Sequence, residues 1–294
     1  MTSTEPSVCI ITLNWNRCQD TLEFLESCRQ LTYLRHTLIV VDNASSDGSV
    51  AAIAAQFPQV TQLVNPQNLG FAAGMNVGLR YALAQGADYL FVANNDTLLA
   101  PDMLTQLLAT ARTHAADIVS PAIYYADSPQ RPWSLGGWRN PLTLEVAKAR
   151  ALRRANGAPT PFAVDFVPAC GLLIRRECLE RVGLFDERFF MYYEDMDFCL
   201  RVRRAGCRIM VAPGARMWHK IAVSSGGSDS PGERYHMARA SVQFFRKHVR
   251  GPRRLLVVPY RAGSAIKTTI RLLWQGRREA ARAYLRGLGH GVIQ

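Results

Sequence analysis

The sequence has no run of about 18 uncharged apolar residues, so it offers no candidate membrane-spanning helix. Its seven cysteines, at positions 9, 18, 28, 170, 178, 199 and 207, include no CxxC pair. An odd, scattered set argues against a disulfide framework or a zinc ribbon, and for reduced thiols used as small apolar residues. The opening MTSTEPSVCI lacks a basic n-region. No signal peptide is therefore expected, and the expected compartment is the cytoplasm. GxSxG, the P-loop and GxGxxG are all missing, which removes the common signatures of serine hydrolases, P-loop NTPases and dinucleotide-binding folds. There is no internal repeat.

What remains is ordinary for a globular chain: 294 residues, 48% hydrophobic and 20% charged, with 21 Gly and 15 Pro. That composition excludes collagen-like, low-complexity and wholly disordered classes. The length allows two domains or one large α/β unit. The net charge is +12, and residues 251–294 carry eight Arg and one Lys against a single Glu. A basic tail implies either a solvated helical face or a polyanionic neighbour, whether membrane surface, nucleic acid or phosphorylated substrate.

The first hundred residues alternate between strand and helix signals. The apolar runs 8–13, 37–42, 60–65 and 88–93 read as strands. Helical spacing follows in Leu22, Leu25 and Cys28, then in Val50, Ile53, Ala54 and Phe57, and then through 71–86. Pro101 opens a fourth helix bearing Met103, Leu104, Leu107, Leu108 and Ala111. This rhythm predicts an α/β fold with a Rossmann-like, mostly parallel sheet and helices on both faces. Ligands of such sheets bind at the carboxyl ends of the strands. There the sequence places Asn14, Asp42 and Asn94 to Asp96.

After residue 120 the pattern changes. A Pro-, Gly- and Arg-rich stretch, 124–163, contains a predicted hairpin, WSLGGWR, turning at Gly136-Gly137. Trp133 and Trp138 would then fill the hairpin's own core or stack on a sugar. Strands are predicted at 167–176 and 207–213, and helices at 194–206 and 234–248. The composition of 224–233 makes it a loop that, like 124–163, could close over a substrate. In the tail, Ile266, Ile270 and Leu273 recur at helical spacing beside Lys267, Arg271 and Arg277. That is the pattern of a helix lying in a membrane interface or packed on the domain.

Taken singly, the polar residues have two readings each. Asp96, at the end of a buried strand, is a turn residue or a ligand for a hard cation such as Mg²⁺ or Mn²⁺. Asp42 is an Asx-turn or helix-capping residue, or an acceptor for a pyrimidine N–H or a ribose hydroxyl. Gly74 and Gly78 lie on one helical face and allow close approach of a strand or a ligand. Glu194, Asp195 and Asp197 start a helix, where acidic groups offset the macrodipole. One of them could alternatively act as a general base, with Tyr192 and Tyr193 lining the site. His219 is a structural histidine or a metal ligand.

Together and in order, the segments ITLNWNR (11–17), VVDNASSDGS (40–49), NLGFAAGMNVG (68–78), NND (94–96), FFMYYEDMDFCLRVRRAG (189–206) and WH (218–219) resemble the family 2 glycosyltransferases, in particular their bacterial rhamnosyltransferase-like branch. The resemblance spans residues 8–219, extends to the helix 238–248 and leaves the tail uncovered. It implies a GT-A fold and transfer of a sugar from a nucleotide donor with inversion at the anomeric carbon. By motif match, Thr12, Asn14, Asp42, Asn68 and Asn95 would surround the nucleotide, with Asp42 on the pyrimidine. Asp96 and His219 would hold Mg²⁺ or Mn²⁺ on the diphosphate. Asp195, with Glu194 beside it, would be the base that takes the acceptor's proton. The chain departs from the family where Asn94 stands in place of the Asp that often begins the metal motif, leaving one fewer carboxylate.

The implied donor is dTDP-rhamnose or a UDP-sugar, since an aspartate reads the edge that thymine and uracil share. The implied acceptor is a cell-envelope glycan or a lipid-linked sugar. The organisation expected is a domain over 1–250, divided at 120 into a nucleotide-binding and an acceptor half, and a basic helical tail over 251–294. The tail would hold the protein peripherally on the inner face of the plasma membrane. Two rivals carry less of the sequence. A nucleotidyltransferase would show a glycine-rich, Arg/Lys-containing loop after the first strand, which ITLNWNRCQD lacks. A nucleic-acid binder would leave the acidic crevice unexplained, so no nucleic-acid partner is expected.

Overall fold

The computed structural model describes residues 5–147, 160–220 and 229–293. The alternating first half folds as read: β1 (Val8–Asn14), α1 (Cys18–Arg29), β2 (His36–Asp42), α2 (Ser49–Gln56), β3 (Thr61–Val64), α3 (Gly70–Ala84) and β4 (Tyr89–Asn94). The elements β5 (Thr97–Leu99), α4 (Met103–Thr113), β6 (Ile118–Tyr125), β7 (Pro132–Ser134), β8 (Trp138–Arg139) and β9 (Val146–Ala147) follow. The second half then contributes β10 (Phe162–Val164), β11 (Gly171–Arg175), α5 (Arg176–Val182), α6 (Glu194–Arg204) and β12 (Ile209–His219). Three helices close the chain: α7 (Pro231–His248), α8 (Arg253–Trp274) and α9 (Arg278–Ile293).

The main sheet runs β10-β12-β6-β11-β4-β1-β2-β3. The block β3-β2-β1-β4 is parallel, as the βαβ rhythm requires. Beyond it β11 enters antiparallel to both β4 and β6, so the whole sheet is mixed. Alternation along the strands feeds two apolar layers. Cys9, Ile11, Ile39 and Val41 face α3 and α6, packing with Met75, Leu79, Phe198 and Val202. Val8, Ile10 and Val40 face α1 and α4, packing with Phe24, Leu25, Leu104 and Leu107. Each fully buried side chain of this kind contributes about 1.5–3 kcal/mol.

Gly74 and Gly78 serve a strand rather than a ligand. A Cβ on Gly78 would lie 2.5 Å from Ile11 Cγ2, and one on Gly74 would lie 2.8 Å from Leu13 Cδ1. The glycine face thus lets α3 settle directly on β1.

Two local expectations need correction. WSLGGWR does not close a hairpin, because β7 pairs with β6 while β8 pairs with β9. The Gly136-Gly137 pair instead carries the chain across Phe166, whose carbonyl accepts from Gly137 N at 2.9 Å. Any Cβ on Gly136 would meet that same oxygen at 2.8 Å. The second correction concerns β12, which runs on past the Pro213-Gly214 stop to His219. A register shift between Ala212 and Arg216 absorbs the proline, which cannot donate to a ladder, and pairing with β6 resumes beyond it.

The tail packs on the domain. Gly287 and Gly291 of α9 let that helix touch α7, where a Cβ would come within 2.3 Å of Tyr235 O and 2.7 Å of Val242 Cβ respectively. On α8, Val257 and Leu272 are buried, while Leu255, Val258, Ile266, Ile270, Leu273 and Trp274 stay exposed. No helix among the described residues is long and apolar enough to cross a membrane. Six of the seven cysteines are buried among apolar neighbours, and Cys18 is half-buried. Of the two stretches read as closing segments, 148–159 and 221–228 lie outside the described residues.

Candidate functional site at the carboxyl ends of the strands

Register alone brings the first polar group together. Asn14 and Asp42 are paired partners at the ends of β1 and β2, and Leu13 pairs with Asn94 at the end of β4. Asn14 Nδ2 donates to Asp42 Oδ2 at 2.7 Å, and Ser45 N donates to Asp42 Oδ1 at 2.7 Å. Asn95 Nδ2 donates to Asn14 Oδ1 at 3.2 Å and to Thr21 Oγ1 at 2.8 Å. Asn14 and Asp42 are fully buried, and Thr12 lies two residues further back on the same face of β1. The Thr12 hydroxyl is buried and has no hydrogen-bond partner among the described residues.

A second asparagine cluster adjoins the first. Asn43 Nδ2 donates to Asn68 Oδ1 at 3.2 Å and to Gly70 O at 3.0 Å, and Asn65 Nδ2 donates to Asn43 Oδ1 at 2.8 Å. Asn68 in turn accepts from Gly70 N at 2.8 Å. This network fixes the turn into α3. Asn43, Asn65 and Thr21 were not singled out in the sequence, although Asn43 lies inside VVDNASSDGS and is the residue that joins the two motifs.

Asp96 and His219 meet because β5 folds back antiparallel on the end of β12, pairing Thr97 with His219. His219 Nε2 lies 3.0 Å from Asp96 Oδ1, and both residues are buried. Burial opposes charge on the imidazole, but Cys170 and Asp96 beside it outweigh that, and its pKa is raised to about 10. Trp133 stands edge-on to the ring, with centroids 5.0 Å apart. Lys220 N donates to Asp96 O, and Lys220 Nζ pairs with Asp20 at 2.9 Å and with Glu23, pinning this strand end to α1. A carboxylate and an imidazole offer the oxygen–nitrogen donor pair that Mn²⁺ or Mg²⁺ accepts once the cation displaces the imidazole's second proton, with positions left for phosphate oxygens and water. No cluster of three or more His, Cys, Asp or Glu side chains that could hold a metal ion occurs among the described residues.

Glu194 and Asp195 begin α6, on a loop clamped to α3. Phe71 N donates to Phe190 O at 2.6 Å. Asn76 both donates to Phe185 O at 2.9 Å and accepts from Phe185 N at 3.1 Å. Tyr192 and Tyr193 hold φ of 69° and 66°, a left-handed pair without glycine. Such residues cost about 1–3 kcal/mol each and persist where packing over-determines them. Here Tyr193 packs on Phe244 of α7, with centroids 5.5 Å apart.

The two acids differ in setting. Glu194 is buried, and burial together with the Asp195 charge holds its pKa well above the usual carboxylate range. Asp195 is half-buried and accepts from Met196 N at 2.7 Å. The third acid of the group, Asp197, is structural: it is fully buried against Arg201, Lys247 and His248.

The sequence profile of the family described as "Glycosyl transferase family 2" matches residues 7–183. An N-acetylglucosaminyl-diphospho-decaprenol L-rhamnosyltransferase of Mycobacterium tuberculosis is 31% identical over 228 residues, covering 69% of this chain and 72% of that protein. A dTDP-rhamnosyl transferase, RfbF, of Shigella flexneri is 25% identical over 218 residues, covering 72% and 71%. Among solved structures, the mannosyltransferase PcManGT from Pyrobaculum calidifontis in complex with GDP-Man and Mn²⁺ superposes with a TM-score of 0.61 at 20% identity, covering 96% of this chain and 74% of that one. GalNAc-T7 with UDP, GalNAc and Mn²⁺ gives 0.63 at 13% identity, over 83% of this chain and 50% of that one.

The sheet, its polar strand ends and these likenesses define a glycosyltransferase of the GT-A fold. The chain belongs to glycosyl transferase family 2.

Proposed function

We propose that the protein transfers a sugar, rhamnose from dTDP-rhamnose, to a hydroxyl of a cell-envelope glycan or lipid-linked acceptor, with inversion. The observation that carries this reading is the convergence of the buried Asp42–Asn14–Asn95 network and the Asp96–His219 pair at one end of the sheet. The likeness to two rhamnosyltransferases supports the choice of sugar. Residues 1–120 form the nucleotide half in this reading and 121–250 the acceptor half.

Thr12, Asn14, Asp42, Asn68 and Asn95 bind the nucleotide, with Asp42 on the pyrimidine edge. Asp96 and His219 hold Mg²⁺ or Mn²⁺, which when bound neutralises charge developing on the departing diphosphate. Asp195 takes the proton of the attacking hydroxyl on the face opposite the leaving group, assistance typically worth about 10²–10⁴-fold. Burial and the Asp195 charge hold the Glu194 carboxyl well above its usual range, which disfavours a second charge beside Asp195. The apolar face of α8 lies against the membrane, flanked by Lys267 and Arg271.

Thermal stabilisation by dTDP, UDP and GDP, each with Mg²⁺, Mn²⁺ or EDTA, tests the donor. Ligand at a hundred times Kd adds about 2.7 kcal/mol. A metal-dependent rise in Tm with dTDP is expected. A rise with UDP alone assigns a UDP-sugar, and a rise with GDP alone removes Asp42 from the pyrimidine.

A further inference from the structure

Away from the strand ends, α7, α8 and α9 line a half-open cavity of about 450 Å³. That falls within the roughly 300–1,000 Å³ of small-molecule sites. Hydrocarbon dominates its walls, with Val242 and Phe245 from α7, Val258 from α8 and Leu288 from α9. Arg246 and Arg254 share the lining. Among the described residues neither is paired with a carboxylate: Arg254 Nε donates to Val249 O at 3.2 Å, and Arg246 Nη1 to Gly291 O at 3.1 Å and to Val292 O. A guanidinium has five N–H donors in a fork that matches phosphate, so both retain donors for an anion. Two cations without a carboxylate partner among the described residues, beside an apolar cavity, are complementary to a hydrocarbon chain that ends in negative charge.

The position of the cavity narrows the ligand further. Val258 belongs both to the cavity wall and to the exposed apolar stripe of α8, with Leu255, Ile266, Ile270 and Leu273. A chain lying along that stripe enters the cavity without crossing water. Helix α7 is the shared wall on the other side. Its Phe245 lines the cavity while the adjacent Phe244 packs on Tyr193, directly before Glu194 and Asp195. The cavity and the acidic pair therefore lie on two sides of one helix, about 10 Å thick.

We propose that this cavity holds the hydrocarbon chain of a phosphate- or diphosphate-bearing lipid, the lipid portion of the acceptor, with its charged end on Arg246 and Arg254. The proposal rests on the lipid-linked reading of the acceptor given above.

Calorimetric titration of the full chain with farnesyl diphosphate in EDTA, which keeps the diphosphate from being held through a cation at Asp96, tests it. Farnesyl diphosphate is expected to bind at least about tenfold more tightly than inorganic diphosphate. The Arg246→Ala/Arg254→Ala variant, which alters exposed side chains, should weaken it at least tenfold, as should Ala265→Trp, which fills the cavity. Stabilisation by dTDP with Mn²⁺ should persist in both variants, so loss of this site is distinguishable from failure of the donor reading. Equal binding of inorganic diphosphate, unchanged affinity in both variants, or equal competition by phosphatidylglycerol in micelles would each overturn the assignment.

Discussion

Asp96 and His219, 123 residues apart in the chain, stand 3.0 Å apart in the fold. The three-residue strand β5 accounts for it, since it leaves β4 and pairs back on the last residues of β12. Lys220, tied to Asp20 and Glu23, keeps that strand end in place. The pair is thus built from a turn and a strand end, both of which tolerate polar residues better than the sheet interior does.

Asp96→Ala is expected to abolish the metal-dependent part of the dTDP-induced rise in Tm. Any remaining shift should be the same in Mn²⁺ and EDTA. A variant that keeps the full metal-dependent shift would show that the cation is held elsewhere.

Asp195→Asn should lower turnover at least about a hundredfold while leaving dTDP binding nearly unchanged, because it removes a proton acceptor and little volume. Initial rates and calorimetric affinity measured on one preparation separate the two effects. Near-normal turnover would remove Asp195 from the base role.

Gly70→Ala tests the clamp that holds the Asp195 loop. Its φ is +79°, and an added Cβ would lie 2.4 Å from Phe190 O. Left-handed backbone and overpacking together should cost about 2–4 kcal/mol. Turnover should fall with stability as the 185–193 loop is displaced. Gly48→Ala is the control: its φ is +82° and its ψ 4°, left-handed, but nothing lies within 4 Å, so only the backbone penalty applies. Equal Tm losses in the two variants would contradict the contact.

Much of this architecture is legible in the sequence, and the illegible parts have physical reasons. The strands β1, β2 and β4 are buried on both faces, so they read as apolar runs ended by Asn14, Asp42 and Asn94. Elements of two or three residues, such as β5, β8 and β9, are too short to show periodicity. Pro213-Gly214 reads as a stop because local sequence does not reveal a bulge. The proximity of Asp96 and His219 came only through resemblance, since no spacing rule joins residues that far apart. Asn43 was hidden by its neighbour Asp42, whose charge draws attention first. In the tail, one face of α8 packs on the domain and the other is exposed.

Acid should unfold the protein through Asp197. Burial works to raise its carboxyl, but hydrogen bonds from His248, Lys247 and Arg201 outweigh that, and its pKa is lowered. A depressed carboxylate contributes stability that is present above its unfolded value of about 3.9 and lost as pH falls through the folded value. Urea midpoints should therefore decline below about pH 5. Asp197→Ala should cost about 3–5 kcal/mol at neutral pH, because Arg201 and Lys247 lose their counter-charge and the buried His248 loses its hydrogen-bond partner, and should flatten the acid limb. An unchanged acid limb would assign it to other carboxylates.

The exposed stripe of α8 gives the sharpest test of membrane contact. Deleting 251–294 would also strip α9 from α7 and expose Ala238, confounding any loss of binding with loss of fold. Ile266→Glu with Ile270→Glu changes two residues that are 61% and 49% exposed and leaves the packed face intact. Burial of such side chains in an interface draws on apolar area and on attraction between basic residues and anionic lipid. The double variant should keep its Tm and its turnover on a water-soluble acceptor, yet lose most co-sedimentation with phosphatidylglycerol vesicles. Trp274, 90% exposed at the end of the helix, supplies an independent signal: its fluorescence should shift to the blue on vesicle binding in the parent protein and not in the variant. Undiminished co-sedimentation of the double variant would place any membrane contact on another face.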